Sequence, residues 1–169
     1  IAKFRFFTND FDTKTSGFDV VLSTSTDWMN GTTMWNLAYN NTTTEVTSRG
    51  QYIDDSRERE IEEMSPDTRY NVSANHMMDN WRVLARASYF GDWYDSNQAL
   101  VYSGEYVVDL ELAYTINDNS SVMVGGNNVF DEAGDKLHDG AAGAGNVYSE
   151  FAPMGFSGAF WYAKYSYNF

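Results

Sequence analysis

Apolar and polar residues alternate with a period of two along most of this chain, and the pattern closes on an aromatic-rich last stretch, Gly155–Phe169 (GFSGAFWYAKYSYNF). Ala159, Trp161, Ala163, Tyr165, Tyr167 and Phe169 fall on one side; Gly158, Phe160, Tyr162, Lys164, Ser166 and Asn168 fall on the other. Such a period puts successive side chains on opposite faces of an extended strand. Over the last eight residues one face is greasy and the other wet, and the strand stops on a phenylalanine. Termini of water-soluble chains usually fray into polar residues. A strand with lipid outside and water inside needs this pattern, with aromatic rings at headgroup level. The stretch reads as the closing strand of an outer-membrane β-barrel.

Composition narrows the alternatives. Aromatic residues make up 17% of the 169 residues, yet the mean hydropathy is −0.49, a combination expected when half of every strand is polar. No run approaches the roughly 18 apolar residues of a membrane-spanning helix. A net charge of −13 argues against nucleic acid as a partner, because phosphates call for Lys and Arg. The absence of cysteine removes disulfides and thiolate metal sites. The chain opens inside an apolar–basic alternation, Ile1–Phe7 (IAKFRFF), as expected of a piece of a longer chain or of one whose signal has been removed.

Taken in order, strands are expected at Ile1–Phe7, Thr13–Thr26, Thr32–Glu45, Asp67–Met78, Trp81–Tyr89, Glu105–Ile116, Ser120–Phe130 and the closing stretch, about eight in all. Tight turns fall at Asp27–Gly31, Asp79–Asn80 and Asn117–Asn119. Long loops fall at Val46–Pro66, where the charged run Arg57–Glu63 suggests a helical turn, at Asp92–Gly104, and at Asp131–Pro153. Short connections alternating with long ones, and strands beyond the 9–11 residues needed to cross a bilayer, predict an all-β, antiparallel, up-and-down transmembrane barrel.

The segment Gly125–Asp131 (GGNNVFD), followed by a glycine-rich loop and an aromatic-terminated strand, resembles the C-terminus of TonB-dependent outer-membrane receptors. Asn9–Val21 and Trp93–Asp95 are similar to the late barrel of the same family. The resemblance runs along the whole of residues 1–169 and implies the C-terminal portion of such a barrel, about eight strands of a larger one. It also implies that a plug domain, a TonB box and earlier strands lie upstream. The function implied for the parent is energised uptake of a scarce ligand, of the siderophore, cobalamin or carbohydrate class. The implied partners are outer-membrane lipid, the TonB complex, the small-molecule ligand and the barrel-assembly machinery. That machinery reads a terminal aromatic strand, here Tyr165, Tyr167 and Phe169.

Individual residues support this reading and no enzymatic one. Asp109 and Glu111 share a strand face, a geometry open to acid–base work, but on a wet lumen face they are expected to pair with Arg82 and Arg86. Trp93, Tyr94, Tyr102 and Tyr148 lie in or beside long loops, either as a ligand-contacting surface or as part of an outer aromatic girdle. His76 falls on the apolar face near a turn. His138, between Asp135 and Asp139, has cation-binding residue types beside it, but reads as a loop residue; no metal or cofactor is expected. No nucleophile elbow or phosphate loop occurs. Three rivals remain: a complete eight-stranded outer-membrane barrel with a structural or adhesion role, an outer-membrane enzyme, and a soluble ligand-binding barrel.

Overall fold

A computed structural model describes residues 9–137, 145 and 147–169. Seven strands form one antiparallel sheet in which every neighbour pair is antiparallel: β1 (Phe11–Trp28), β2 (Gly31–Arg49), β3 (Thr68–Met78), β4 (Trp81–Phe90), β7 (Glu105–Asn117), β8 (Ser120–Asn127) and β9 (Phe160–Tyr167). A second, two-stranded sheet joins β5 (Trp93–Asp95) to β6 (Leu100–Tyr102), and one helix, α1 (Asp55–Glu63), follows β2. The fold is all-β, as the alternation predicts.

The sheet is held by register. Val20, Tyr39, Tyr70, Tyr89 and Tyr106 stand in one row across five strands. Further along, Leu22, Leu37, Val72, Ala87 and Val108 form a second row on the same face. A later row runs Ala74, Ala85, Leu110, Gly126 and Trp161. The opposite face carries Asn36, Ser73, Arg86 and Asp109 in line. A slip of one residue anywhere would exchange the two sets.

Nothing among the described residues covers the apolar face: Leu110, Val124 and Trp161 are 43%, 54% and 64% exposed. The buried apolar residues lie elsewhere, in the loops, at Trp93, Tyr94, Tyr102 and Ala133.

Turns sort to the two ends of the sheet. The tight β1–β2 turn places Met29 and Asn30 at φ 47° and 57°, the doubly positive pair of a type I′ hairpin, so Asn-Gly occupies the last two turn positions. Asp79 does similar work at φ 48° between β3 and β4. The long connections all emerge at the other end.

Several expected boundaries shift. β2 continues to Arg49, because β1 pairs with it as far as Phe11. The Val46–Pro66 loop holds a helix of 9 residues rather than one turn; Asp54 caps it by accepting from the Arg57 N–H at 2.8 Å, and Arg59–Glu63 bridges one turn at 2.8 Å. β8 ends at Asn127, since Asn128 and Asp131 adopt positive φ and break the extended backbone. β9 starts only at Phe160, after Gly155 and Gly158 at φ 78° and 67°, and Phe169 lies just beyond its end. The expected strand Ile1–Phe7 lies outside the described residues. β1 and β9 do not pair with each other, so the described sheet is open.

The central strands β3, β4 and β7 each have ladder partners on both sides, whereas β1 and β9 have one. Amide hydrogen exchange should therefore be slowest in β3, β4 and β7 and faster along β9. Equal protection across all seven strands would contradict the open-edged arrangement.

Candidate functional site

Two clusters of polar and aromatic side chains stand out, one on the polar face of the sheet and one in the long loops.

On the polar face the four expected residues come together as pairs. Arg86 lies directly opposite Asp109 and donates to its Oδ2 from Nε and Nη2 at 2.8 and 2.6 Å. Arg82 donates from Nη2 to Glu111 Oε1 across the same two strands. The remaining oxygens are also taken: Asp109 Oδ1 accepts from the Asn128 N–H at 2.8 Å, and Glu111 Oε2 accepts from the Tyr162 hydroxyl at 2.9 Å. Every oxygen of the two carboxylates is thus engaged by a donor, which fixes both side chains in place. Tyr162 was invisible as a partner in the sequence, where it stood merely as an even-numbered aromatic.

The loop cluster is a small core. Trp93 stacks on Tyr102 with ring centroids 5.2 Å apart and planes 13° apart. The Arg59 guanidinium of α1 sits 4.2 Å from the centre of the Tyr94 ring, tying the helix to β5. Buried Asp95 accepts at Oδ1 from the N–H groups of Asn97 and Gln98, at 2.8 and 3.1 Å, and at Oδ2 from the Ser149 hydroxyl at 2.6 Å. Asn97 reaches Glu150 in the same direction at 2.8 Å. Lys136 and Tyr148 form a lone antiparallel bridge beside it. Three long loops thus share one interior.

Trp93, Tyr94 and Tyr102, expected in or beside the long loops, are 2%, 3% and 6% exposed, and their rings pack the loop core. Tyr148 is half-buried at the edge of the same cluster. Trp93 also borders a cleft of about 660 Å³ between β2, the end of α1 and β5. Glu45, Glu62, Glu63, Asp67 and Asp92 line it without a basic side chain, so its field repels anions. Asp95 and Ser149 were not legible as partners, although Asp95 two residues before Asn97 has the spacing of an Asx turn.

His76 lies between β2 and β4 on the apolar face, with Nδ1 2.8 Å from the Thr33 hydroxyl oxygen and its ring 6.0 Å from that of Trp28. Among the described residues no group of three or more His, Asp or Glu side chains could hold a metal ion. His138 and Asp139 lie outside the described residues.

In comparisons with known proteins, no family model, curated protein or solved structure matches the chain.

Burial raises the Tyr102 hydroxyl above its ordinary pKa, and the nearby Asp95 and Asp135 carboxylates raise it further. A raised acid is neutral in the folded cap, so its stabilisation is full below the unfolded value of about 10 and is lost as pH climbs through the folded value. Limited proteolysis should show the 91–104 loop opening above about pH 10 in the parent and resisting further in Tyr102→Phe. At neutral pH, Trp93→Ala should destabilise the loop cluster by about 3–5 kcal/mol, with cleavage confined to the loops. Cleavage spreading into β3 and β4 would show that the cluster is not a separate unit.

Proposed function

We propose that this sheet is part of the wall of an outer-membrane β-barrel, and that the chain is the C-terminal stretch of an active importer of the TonB-dependent receptor type. The observation that carries the membrane reading is a pair of aromatic rows on the uncovered apolar face. Tyr39, Tyr70, Tyr89 and Tyr106 form one, with neighbouring ring centroids 6.5, 5.0 and 4.7 Å apart. Trp81 and Tyr114, with centroids 4.5 Å apart, form the other, continued by Tyr165.

Eight residues separate Trp81 from Tyr89 and Tyr106 from Tyr114, about 27 Å of strand at roughly 3.4 Å per residue. Tilted by about 40°, that length spans roughly 21 Å of height, close to the apolar band of about 25 Å between the girdles of membrane barrels. Between the rows stand Val83, Ala85, Ala87, Val108, Leu110 and Leu112. The Arg–carboxylate pairs on the other face suit a wet interior, and the tight turns suit the periplasmic side.

β1 and β9 run in the same direction, since they are the first and seventh strands of a sheet in which every neighbour pair is antiparallel. Single-chain bacterial barrels have an even number of antiparallel strands. Closure therefore needs an odd number of further strands between β9 and β1. One would make a small barrel; more would make a receptor-sized one. The importer reading is favoured by the resemblance of Gly125–Asp131 and the closing strand to that family, and by loops with their own packed core. On this reading the ligand is a small molecule, and coupling to TonB belongs to upstream segments of the parent. Tyr165, Tyr167 and Phe169, all strongly exposed, act as the assembly signal.

Leu110 lies midway between the rows on the apolar face, and Ala113 lies on the polar one. Leu110→Arg should destabilise the inserted barrel by about 2–4 kcal/mol, and Ala113→Arg by far less. Equal small penalties, measured by unfolding in lipid vesicles, would remove the lipid-facing assignment.

Deleting Phe169 from the parent should reduce heat-modifiable, membrane-inserted protein far more than deleting Ala142, with ligand binding per inserted molecule unchanged. A defect confined to binding would sink the assembly role. If residues 1–169 alone insert as a closed barrel, the small-barrel reading replaces the importer wall.

A further inference from the structure

We propose that the register of β9 is set by a two-faced lock, in which consecutive glycines of β8 seat consecutive aromatic rings of β9. Gly125 stands opposite Tyr162 and Gly126 opposite Trp161. Neighbouring residues of a strand face opposite ways, so one ring is seated on the polar face and the other on the apolar face. A Cβ built on Gly125 would lie 2.6 Å from Cζ and Oη of Tyr162. One built on Gly126 would lie 2.8 Å from Cε3 of Trp161 and from Cγ1 of Val129. Both rings occupy the space a side chain would fill.

The polar-face half reaches further. Tyr162 passes over Gly125 and donates to Glu111 of β7 at 2.9 Å, skipping a strand. Glu111 is itself held by Arg82 of β4. One tyrosine of the edge strand is thereby tied to a fixed point two strands away.

The alternation of β9 cannot do this work alone. A one-residue slip is forbidden because it exchanges faces. A two-residue slip is not, since Trp161, Ala163, Tyr165 and Tyr167 would remain on the apolar face. Among the described residues β9 has a ladder partner on one side only, so within them its register rests on β8.

The glycines remove that freedom. Slipped two residues one way, Tyr162 would meet Met123 and Trp161 would meet Val124; slipped the other way, they would meet Asn127 and Asn128. None of these leaves the space a ring needs, and Glu111 falls out of line. The lock requires no assumption about what covers the apolar face.

The chain has no cysteine, so paired thiols can report register directly. Met123 stands opposite Lys164 in the observed register and opposite Ser166 after the two-residue slip that brings Tyr162 to Asn127. The full chain, folded in detergent micelles, would carry either Met123→Cys with Lys164→Cys or Met123→Cys with Ser166→Cys, and the yields of oxidative crosslinking would be compared. The parent should favour the first pair strongly. Gly125→Val, which fills the seat, and Tyr162→Ala, which empties it, should each lower that preference by about tenfold.

Tyr165→Ala removes a ring of the same strand that faces Val122 and not a glycine, and should leave the ratio unchanged. Tyr162→Phe, which keeps the ring but loses the Glu111 bond, should fall between parent and alanine variant. The lock is overturned if the parent shows no preference, if Tyr162→Ala keeps the parental ratio, or if Tyr165→Ala shifts it equally.

Discussion

A single-layer sheet with one apolar face, on which none of the described residues pack, is the constraint from which the rest of the structure follows. In water, burial of apolar surface supplies most of the drive to fold, at about 25 cal/mol per Å². Here the strand side chains that would supply it point outward, and Leu110, Leu112 and Val124 stay open. On the proposed membrane reading lipid covers this face without engaging backbone groups, and each strand must meet its own hydrogen-bonding needs through its neighbours. Hence the antiparallel ladders that run from β1 to β9, and hence the separation of polar from apolar rows across β2, β3, β4 and β7. The proposed lipid-facing reading is consistent with this arrangement. A soluble barrel would need the apolar face inside and the Arg86–Asp109 row outside.

The loops obey the opposite rule. They bury Trp93, Tyr94 and Tyr102 around a carboxylate, Asp95, whose oxygens take three donors. That is the ordinary economy of a water-soluble core, with a buried charge kept only because it is fully hydrogen-bonded. The chain therefore holds two stabilising regimes in series, and the row of tyrosines at Tyr39, Tyr70, Tyr89 and Tyr106 marks where one gives way to the other.

What the sequence disclosed follows from the same division. Strand identity and facing were readable because period two is a local signal, and Tyr106 to Tyr114 carries it without a fault. The Arg82 and Arg86 pairing with Glu111 and Asp109 was readable because β4 and β7 are consecutive long strands and the alternation puts all four residues on one face. The loop core was not readable, because its contacts join Asp95 to Ser149 and Arg59 to Tyr94 over separations that no periodicity encodes. Trp93 looked like a surface aromatic for that reason. The helix α1 was half visible: its cap at Asp54 and its Arg59–Glu63 pair are local, but its length depends on docking to β2 through Arg49 with Asp55 and Glu58. The seats at Gly125 and Gly126 were seen as glycines and not as partners of Tyr162 and Trp161.

The first hairpin carries the division along its own length. β1 and β2 have 18 and 19 residues, well beyond the 9–11 that cross a bilayer. Past the Val20–Tyr39 row the alternation fades, and threonines and carboxylates take both faces: Thr13, Thr15 and Asp12 on one strand, Thr42, Thr43 and Thr44 on the other. The side-chain hydrogen bonds change with it. Thr15 meets Thr44 at 3.0 Å, Ser48 donates to Asp12 at 2.7 Å, and Asn40 donates to Asp19 at 2.8 Å. A two-stranded ribbon is marginal in water by itself. This one is braced at its far end, where Glu62 of α1 accepts from the Val46 N–H at 2.8 Å and Asp10 accepts from the Gly50 and Tyr52 N–H groups at 2.6 and 2.7 Å. The helix thus serves less as a core element than as a buttress for a ribbon that extends past the apolar band.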